Sequence, residues 1–523
     1  MNATAIRNVI VVIVLALLCI LIGSYAAEDK NISVIMLAGM VGVAFMVFLG
    51  KKSWVILYLL PPLVGFLPLG ILNALPASFL VAGVVLMYWM LMWIMGYVRF
   101  KWRPLPALDA IVLLVLVYYI LTFYWHPVAI NSLGIEAEYV GGKEYVWCLL
   151  AVVYYVTLSC VPCSYEALYN VLHKAMKIVI WICVFSVFSG MLGLVSAKGV
   201  EGVGAQMGNT RFAMFSQLGQ LLFLIVYSQK PFLKLLSSPK SIAALAFCCA
   251  AVLISGWREK LVSFACIALA LGYIKREMAY YVIMVVAAYG SLLYLSEEKV
   301  VEEHFPYGMQ RSLSILPGIQ VCDGARATAE NSSEWRKVMW RWALDPRTGY
   351  IQDYVWGDGF GQEVASLNRY HVSLMRGSAI FGDQEDFAYT GTWHSGPIVA
   401  VHRTGCVGLG LIVFVHLYAA FLIVRVCRAY KGTPMFLLAV LFLCPFYGDF
   451  VLFYVSAGTI MRFFDSFIYI ALAKVLYCIG REEGIIVPVF SKGRYNPMLI
   501  AEQQRHELIQ RGQQESIALR RRA

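Results

Sequence analysis

The chain has 523 residues, of which 60% are hydrophobic and only 14% charged, and its formal net charge is +11. Soluble domains sit at roughly 45–50% apolar, so this composition excludes a soluble globular enzyme and implies a polytopic membrane protein. The positive balance does not point to nucleic acid, because Lys and Arg fall between the apolar runs, as they do in cytoplasmic loops.

Taken in order, the apolar runs predict about fourteen spans of the length needed to cross a hydrocarbon core about 30 Å thick. They are Val9 to Ala27, Val34 to Gly50, Trp54 to Leu72, Phe79 to Val98, Leu108 to Trp125, Tyr145 to Val161 and Ile178 to Val195. Phe212 to Tyr227, Ile242 to Ser255, Leu261 to Ile274, Ala279 to Leu295, Ile398 to Val424, Met435 to Tyr454 and Thr459 to Ile479 complete the set. The expected fold is therefore all-α, a transmembrane helical bundle with one large periplasmic loop domain. Its parts are N-terminal spans over 1–211, central spans over 212–295, the loop domain over 296–396, C-terminal spans over 397–480 and a basic tail over 481–523. The basic connections Lys51-Lys52, Arg99 to Arg103, His173 to Lys177, Lys230 to Lys240, Lys275-Arg276 and Arg425 to Lys431 all fall on one side in this count. The positive-inside rule makes that side cytoplasmic and puts both termini there. The acidic loop after the fifth span, a glycine-rich loop over Lys198 to Arg211 and the long polar segment then face outward. The tail reads as a solvated segment that touches anionic lipid.

The thirteen cysteines mostly lie inside apolar runs and read as small hydrophobes. Cys160-Val-Pro-Cys163 is a lone C-x-x-C without a second pair and is expected to be a helix end. Three histidines, His371, His394 and His402, lack matching Asp or Glu spacing, so no metal is expected.

Residues that could carry chemistry collect on the outer side. Arg211 opens the eighth span, and Arg258 sits at the tip of the ninth–tenth hairpin, in Ser255-Gly256-Trp257-Arg258. A single Arg at such a depth is usually a boundary anchor. Two on the same face suit a lipid diphosphate, whose oxygens a guanidinium fork binds bidentately. His394 lies at the start of the twelfth span, in Trp393-His394-Ser395-Gly396-Pro397, and His is the side chain best poised to move protons near neutral pH. Asn331 to Leu344 reads as an amphipathic helix with Trp335, Val338, Met339 and Trp342 on one face and Arg336, Lys337 and Arg341 beside it. It is expected on the bilayer surface with its tryptophans at headgroup level. Gly357-Asp358-Gly359-Phe360-Gly361 reads as a flexible turn. In the last two spans, Asp449 is an intramembrane charge that could mark a substrate path, and Arg462 and Asp465 are spaced for an ion pair on one helix face.

The order of these pieces resembles the O-antigen ligase / O-antigen polymerase superfamily of bacterial membrane glycosyltransferases. The resemblance runs through Arg211, Ser255 to Arg258, Arg336 with Trp340, Gly357 to Gly361, His394-Ser395, and Gly405 to Gly408-Leu409. Trp257 stands between Gly and Arg where that family has Ser-Arg, and Ser395 replaces its usual Asn. The resemblance implies a GT-C-type, metal-independent glycosyl transfer at the periplasmic face of the bacterial inner membrane. His394 would take the acceptor hydroxyl proton, and Arg211 and Arg258, with Arg336 as a third contact, would hold the diphosphate. Arg341, Asp449 and Arg462 are further candidates. The implied partners are an undecaprenyl-diphosphate-linked glycan, an acceptor glycan or lipid, membrane lipids and polysaccharide-assembly proteins. The rival readings are a transporter or flippase of lipid-linked sugars, and a receptor or scaffold that uses the tail.

Overall fold

The computed structural model describes residues 48–58, 77–128, 139–140, 142–191, 213–363, 388, 391, 393–455 and 458–486. The first predicted span, most of the second and third, the glycine-rich loop and the tail beyond Ile486 lie outside the described residues. Among the described residues the regular structure is helical, apart from one antiparallel pair of two-residue strands, β1 (Tyr139–Val140) and β2 (Gln362–Glu363). The helices are α1 (Ala77–Ile94), α2 (Pro106–Trp125), α3 (Lys143–Cys160), α4 (Tyr165–Met191), α5 (Ala213–Gln229), α6 (Phe232–Leu236), α7 (Pro239–Ile254) and α8 (Arg258–Lys275). They continue as α9 (Met278–Glu297), α10 (Val300–His304), α11 (Tyr307–Leu313), α12 (Asp323–Leu344), α13 (Gly396–Ala429), α14 (Met435–Leu443), α15 (Pro445–Val455) and α16 (Ile460–Glu482).

Among the described residues six helical stretches are long and apolar enough to cross a membrane: Pro106–Trp125, Tyr165–Phe185, Met278–Glu297, Gly396–Ala429, Met435–Val455 and Ile460–Glu482. That makes this a membrane protein by length and composition of its helices. Two boundaries differ from the sequence reading. His173, Lys174 and Lys177 are not a loop before the seventh span; they lie inside α4, which starts at Tyr165. Hydropathy placed the boundary at the last charge, whereas the backbone hydrogen bonds run on past it. The predicted thirteenth span is two stacked helices, α14 and α15, meeting at Cys444-Pro445, where proline removes a helical donor. Cys160 does end α3, as its C-x-x-C spacing suggested.

The centre of the bundle is α16. Its apolar window is 83% buried, against 6% for α9, which lies at the edge of the described bundle. Against α16 pack α3 and α13, while α8 packs on α15 and α7 on α5. The helices α8, α13 and α16 run the same way, and their C-terminal ends carry the basic connections. Arg103, almost fully buried, donates to the carbonyls of Val161 and Cys163 just past the end of α3, the latter at 2.8 Å. It lies 3.6 Å from Glu482, which Lys101 also meets at 2.9 Å. Lys275 Nζ donates to the carbonyls of Tyr227 and Lys230 at 2.7 and 2.6 Å, and Lys431 Nζ donates to the Lys275 carbonyl at 2.8 Å. These cations satisfy helix-end carbonyls that have no partner within their own helix. A half-buried pair ties α2 to α16 near this end, with the buried Lys474 Nζ 2.6 Å from Asp109 and its ammonium over the Trp102 ring at 4.0 Å.

The predicted loop domain is partly described. Val301, Leu313, Ile319, Val321 and Ala325 form a small core of their own over the end of α7 and α9.

Candidate functional site

The N-terminal ends of α8, α13 and α16 meet at the end of the bundle opposite the basic connections. Close approach there depends on glycine. A Cβ on Gly396, the first residue of α13, would collide with the Phe453 carbonyl oxygen at the end of α15. Without it, the turn before α13 lies against the start of α16.

His394 occupies that turn with φ +48°, a left-handed conformation uncommon outside glycine. Such backbone persists where its surroundings hold it, often at functional sites. The Trp335 ring of α12 packs edge-on to the His394 imidazole, centroids 5.1 Å apart. The next residue, Arg336, half-buried, lies within electrostatic range, as does Glu259 in the first turn of α8. Glu259 Oε2 pairs with Arg462 Nη2 of α16 at 3.2 Å. Arg258, the first residue of α8, follows the turn at Gly256, whose φ of +69° favours glycine. So His394, Arg336, Glu259 and Arg462 converge from four separate parts of the chain, with Arg258 next to Glu259 in sequence. The Arg336 and Arg462 guanidinium groups lie around the Glu259 carboxylate, Asp465 is within electrostatic range of Arg462 as well, and three helix N-termini add positive potential. Burial holds the His394 imidazole below its usual pKa; Arg336 pushes the same way and Glu259 opposes. The ring is therefore neutral near pH 7 and able to accept a proton.

Several expectations are corrected here. Arg462 does not pair with Asp465 on its own helix; its ion-pair partner is Glu259, across the helix interface. The tryptophan face of α12 packs on protein. Trp335 packs on His394, Trp340 Nε1 donates to the Trp393 carbonyl at 3.1 Å, and Trp342 stacks on Tyr350. Arg341 is exposed and lines an open depression with Lys337, Trp340, Leu344 and Asp345, on a different face of α12 from Arg336. Asp449 accepts from Tyr469 Oη at 3.0 Å, about two helical turns deeper along α16 than Arg462. Arg211 and His371 lie outside the described residues.

The Gly357–Gly361 turn is fixed rather than flexible. The α13 backbone breaks its helical course at Gly405 (φ 63°, ψ −179°), and the segment from Tyr354 to Gly361 docks against the break. Cys406 N donates to Tyr354 O at 2.8 Å and Val407 N to Val355 O at 3.2 Å; Asp358 N donates to His402 O at 2.8 Å and Gly359 N to Arg403 O at 3.1 Å. Tyr118 Oη donates to Thr404 O at 2.6 Å. Backbone groups freed by the kink thus find partners inside the protein, the condition for irregular backbone at membrane depth. His402 accepts from Trp393 Nε1 at its Nδ1 (3.0 Å) and turns its Nε2 toward Asp358, 3.5 Å away. His402 is therefore a brace that anchors Trp393, and through it the neighbouring His394, rather than a rival to it.

Neither a family model nor a curated protein matches this chain.

Sequence reasoning missed Glu259. Its one visible signal was an acid set among cations, in Arg258-Glu259-Lys260 at a helical hairpin.

Proposed function

We propose that this protein is a bacterial inner-membrane glycosyltransferase that polymerises or ligates a polyprenyl-diphosphate-linked polysaccharide at the periplasmic face. The observation that carries the proposal is the convergence of His394, Arg336 and the Glu259–Arg462 pair where three helices begin. In this reading the neutral His394 ring accepts the proton of an acceptor hydroxyl as its oxygen attacks the anomeric carbon. The bond from that carbon to the diphosphate breaks, and polyprenyl diphosphate leaves with the bonding pair. Negative charge grows on the departing oxygen, and positioned guanidinium groups in a partly dry site offset it best. Arg258, Arg336 and Arg462 supply that charge, together with Arg211 on the strength of the sequence resemblance. No metal ion or cofactor is required by this scheme.

Cells carrying His394→Ala test it. The variant is expected to insert normally and to make no polymeric or ligated glycan, since removing a general base costs about 10²- to 10⁴-fold. Normal glycan yield and length from that variant would end the proposal.

A further inference from the structure

We propose that Glu259 is an internal stand-in for the substrate's diphosphate: it holds Arg462 in the empty site and yields it when a diphosphate arrives. The inference rests on the glycosyl-transfer reading, in which Arg462 faces the diphosphate, and adds Glu259 as that anion's competitor.

Three observations support it. The Glu259–Arg462 contact is a single 3.2 Å interaction through one guanidinium nitrogen, not a bidentate fork, so most of the Arg462 donor capacity is uncommitted to that carboxylate. Both side chains keep some exposure, 19% for Glu259 and 29% for Arg462, so solvent and an incoming anion reach the pair. The pair also sits where the substrate charge is expected, since Glu259 acts electrostatically on His394. A Glu in a first helical turn is ordinarily a partner of the helix dipole. That role needs only the N-terminus of α8. It explains neither a cation reached from α16 nor a place beside the imidazole. A carboxylate there keeps Arg462 extended across the α8–α16 interface, so the guanidinium is already positioned when a better anion displaces the acid. A diphosphate offers more oxygens than a carboxylate and can take both faces of the fork.

The experiment measures binding of farnesyl diphosphate, and of inorganic pyrophosphate in parallel, to the full-length protein in nanodiscs. Glu259→Gln is expected to tighten farnesyl diphosphate binding about two- to five-fold, the scale of a partly exposed ion pair removed from competition. Arg462→Gln is expected to weaken it about ten-fold. Glu259→Asp, which keeps the charge but shortens its reach, should fall between wild type and Glu259→Gln. Pyrophosphate following the same order would assign the effect to the phosphate groups alone; an effect confined to the farnesyl ligand would assign it to a lipid diphosphate. Both outcomes support the stand-in. Equal or weaker binding by folded Glu259→Gln overturns it while leaving the glycosyl-transfer reading standing. Failure of both Glu259 variants to fold would make the carboxylate a structural keystone and also overturn it. No binding of either ligand to the wild type would sink the diphosphate reading, and the stand-in with it.

Discussion

Gly405→Ala offers a quantitative test of how the site is held. Gly405 combines φ 63° with ψ −179°, a region open essentially to glycine alone, and a non-glycine residue there costs about 1–3 kcal/mol. A Cβ at that position would also collide with the Val355 carbonyl and the Trp356 nitrogen, which are backbone and have no rotamer to move aside. Relief means lifting the Tyr354–Trp356 stretch, which breaks the Cys406-to-Tyr354 and Val407-to-Val355 hydrogen bonds. Each is worth about 1 kcal/mol net. The total is roughly 3–5 kcal/mol, combining the strain and the two lost hydrogen bonds. Gly410→Ala is the control: that glycine is helical in the same helix, and a Cβ there meets nothing within 4 Å. It should be neutral or stabilise by about 0.5–1 kcal/mol. The assay is the fraction of monodisperse protein by gel filtration after a temperature series in detergent. Gly405→Ala should disappear well below wild type and Gly410→Ala at or above it. Wild-type survival of Gly405→Ala would refute the idea that the docked segment holds the kink, and with it the brace from His402 through Trp393 to His394.

Other perturbations have signed outcomes. The His394 imidazole, followed by ¹³C NMR of labelled histidine with His394→Gln for assignment, should titrate below the ordinary value of about 6.5. Because Arg336 pushes that pKa down and Glu259 pushes it up, Arg336→Gln should raise it and Glu259→Gln lower it further; shifts in the same direction would contradict the arrangement. A depressed folded-state pKa means that the stability His394 contributes is present above about pH 6.5 and lost as pH falls toward the folded value, so acid should destabilise wild type more than His394→Gln. Lys474→Met should cost about 1–3 kcal/mol by leaving the half-buried Asp109 carboxylate with only the Tyr155 hydroxyl and the Leu105 amide, and Lys474→Met with Asp109→Asn should recover most of it; no recovery in a thermal series would show that the pair is not the cause. Trp393→Phe, which leaves His402 Nδ1 without its donor, should cost about 1–3 kcal/mol in the same series.

Features encoded along one helix or one turn were legible in the sequence. Six of the predicted spans recur as helical stretches long and apolar enough to cross a membrane; the Ser255–Arg258 turn showed in its glycine, and the Trp335 face of α12 in its 3.6-residue period, although periodicity could not say what that face covers. Its partner is the α13 entry, which lies some sixty residues further on. Arg462 was misassigned because i, i+3 spacing reveals only partners on the same helix, whereas Glu259 reaches it across 203 positions of chain. The Lys474–Asp109 pair spans 365 positions and left no local sign at all. The Gly357–Gly361 turn looked flexible for the same reason, since its partners are backbone groups exposed by a kink that depends on one glycine in a long apolar run. His394 was legible as a residue at a helix entry; its left-handed backbone and its neutral ring follow only from the packing around it.

Turnover by the purified protein in proteoliposomes, supplied with a polyprenyl-diphosphate oligosaccharide and an acceptor glycan, tests the central claim most directly. Wild type is expected to form a glycosidic bond and release polyprenyl diphosphate, and His394→Ala to lose at least about 100-fold in rate while still binding the lipid diphosphate. Undiminished turnover by His394→Ala, or movement of the lipid-linked sugar across the bilayer by wild type without any bond formed, would contradict it.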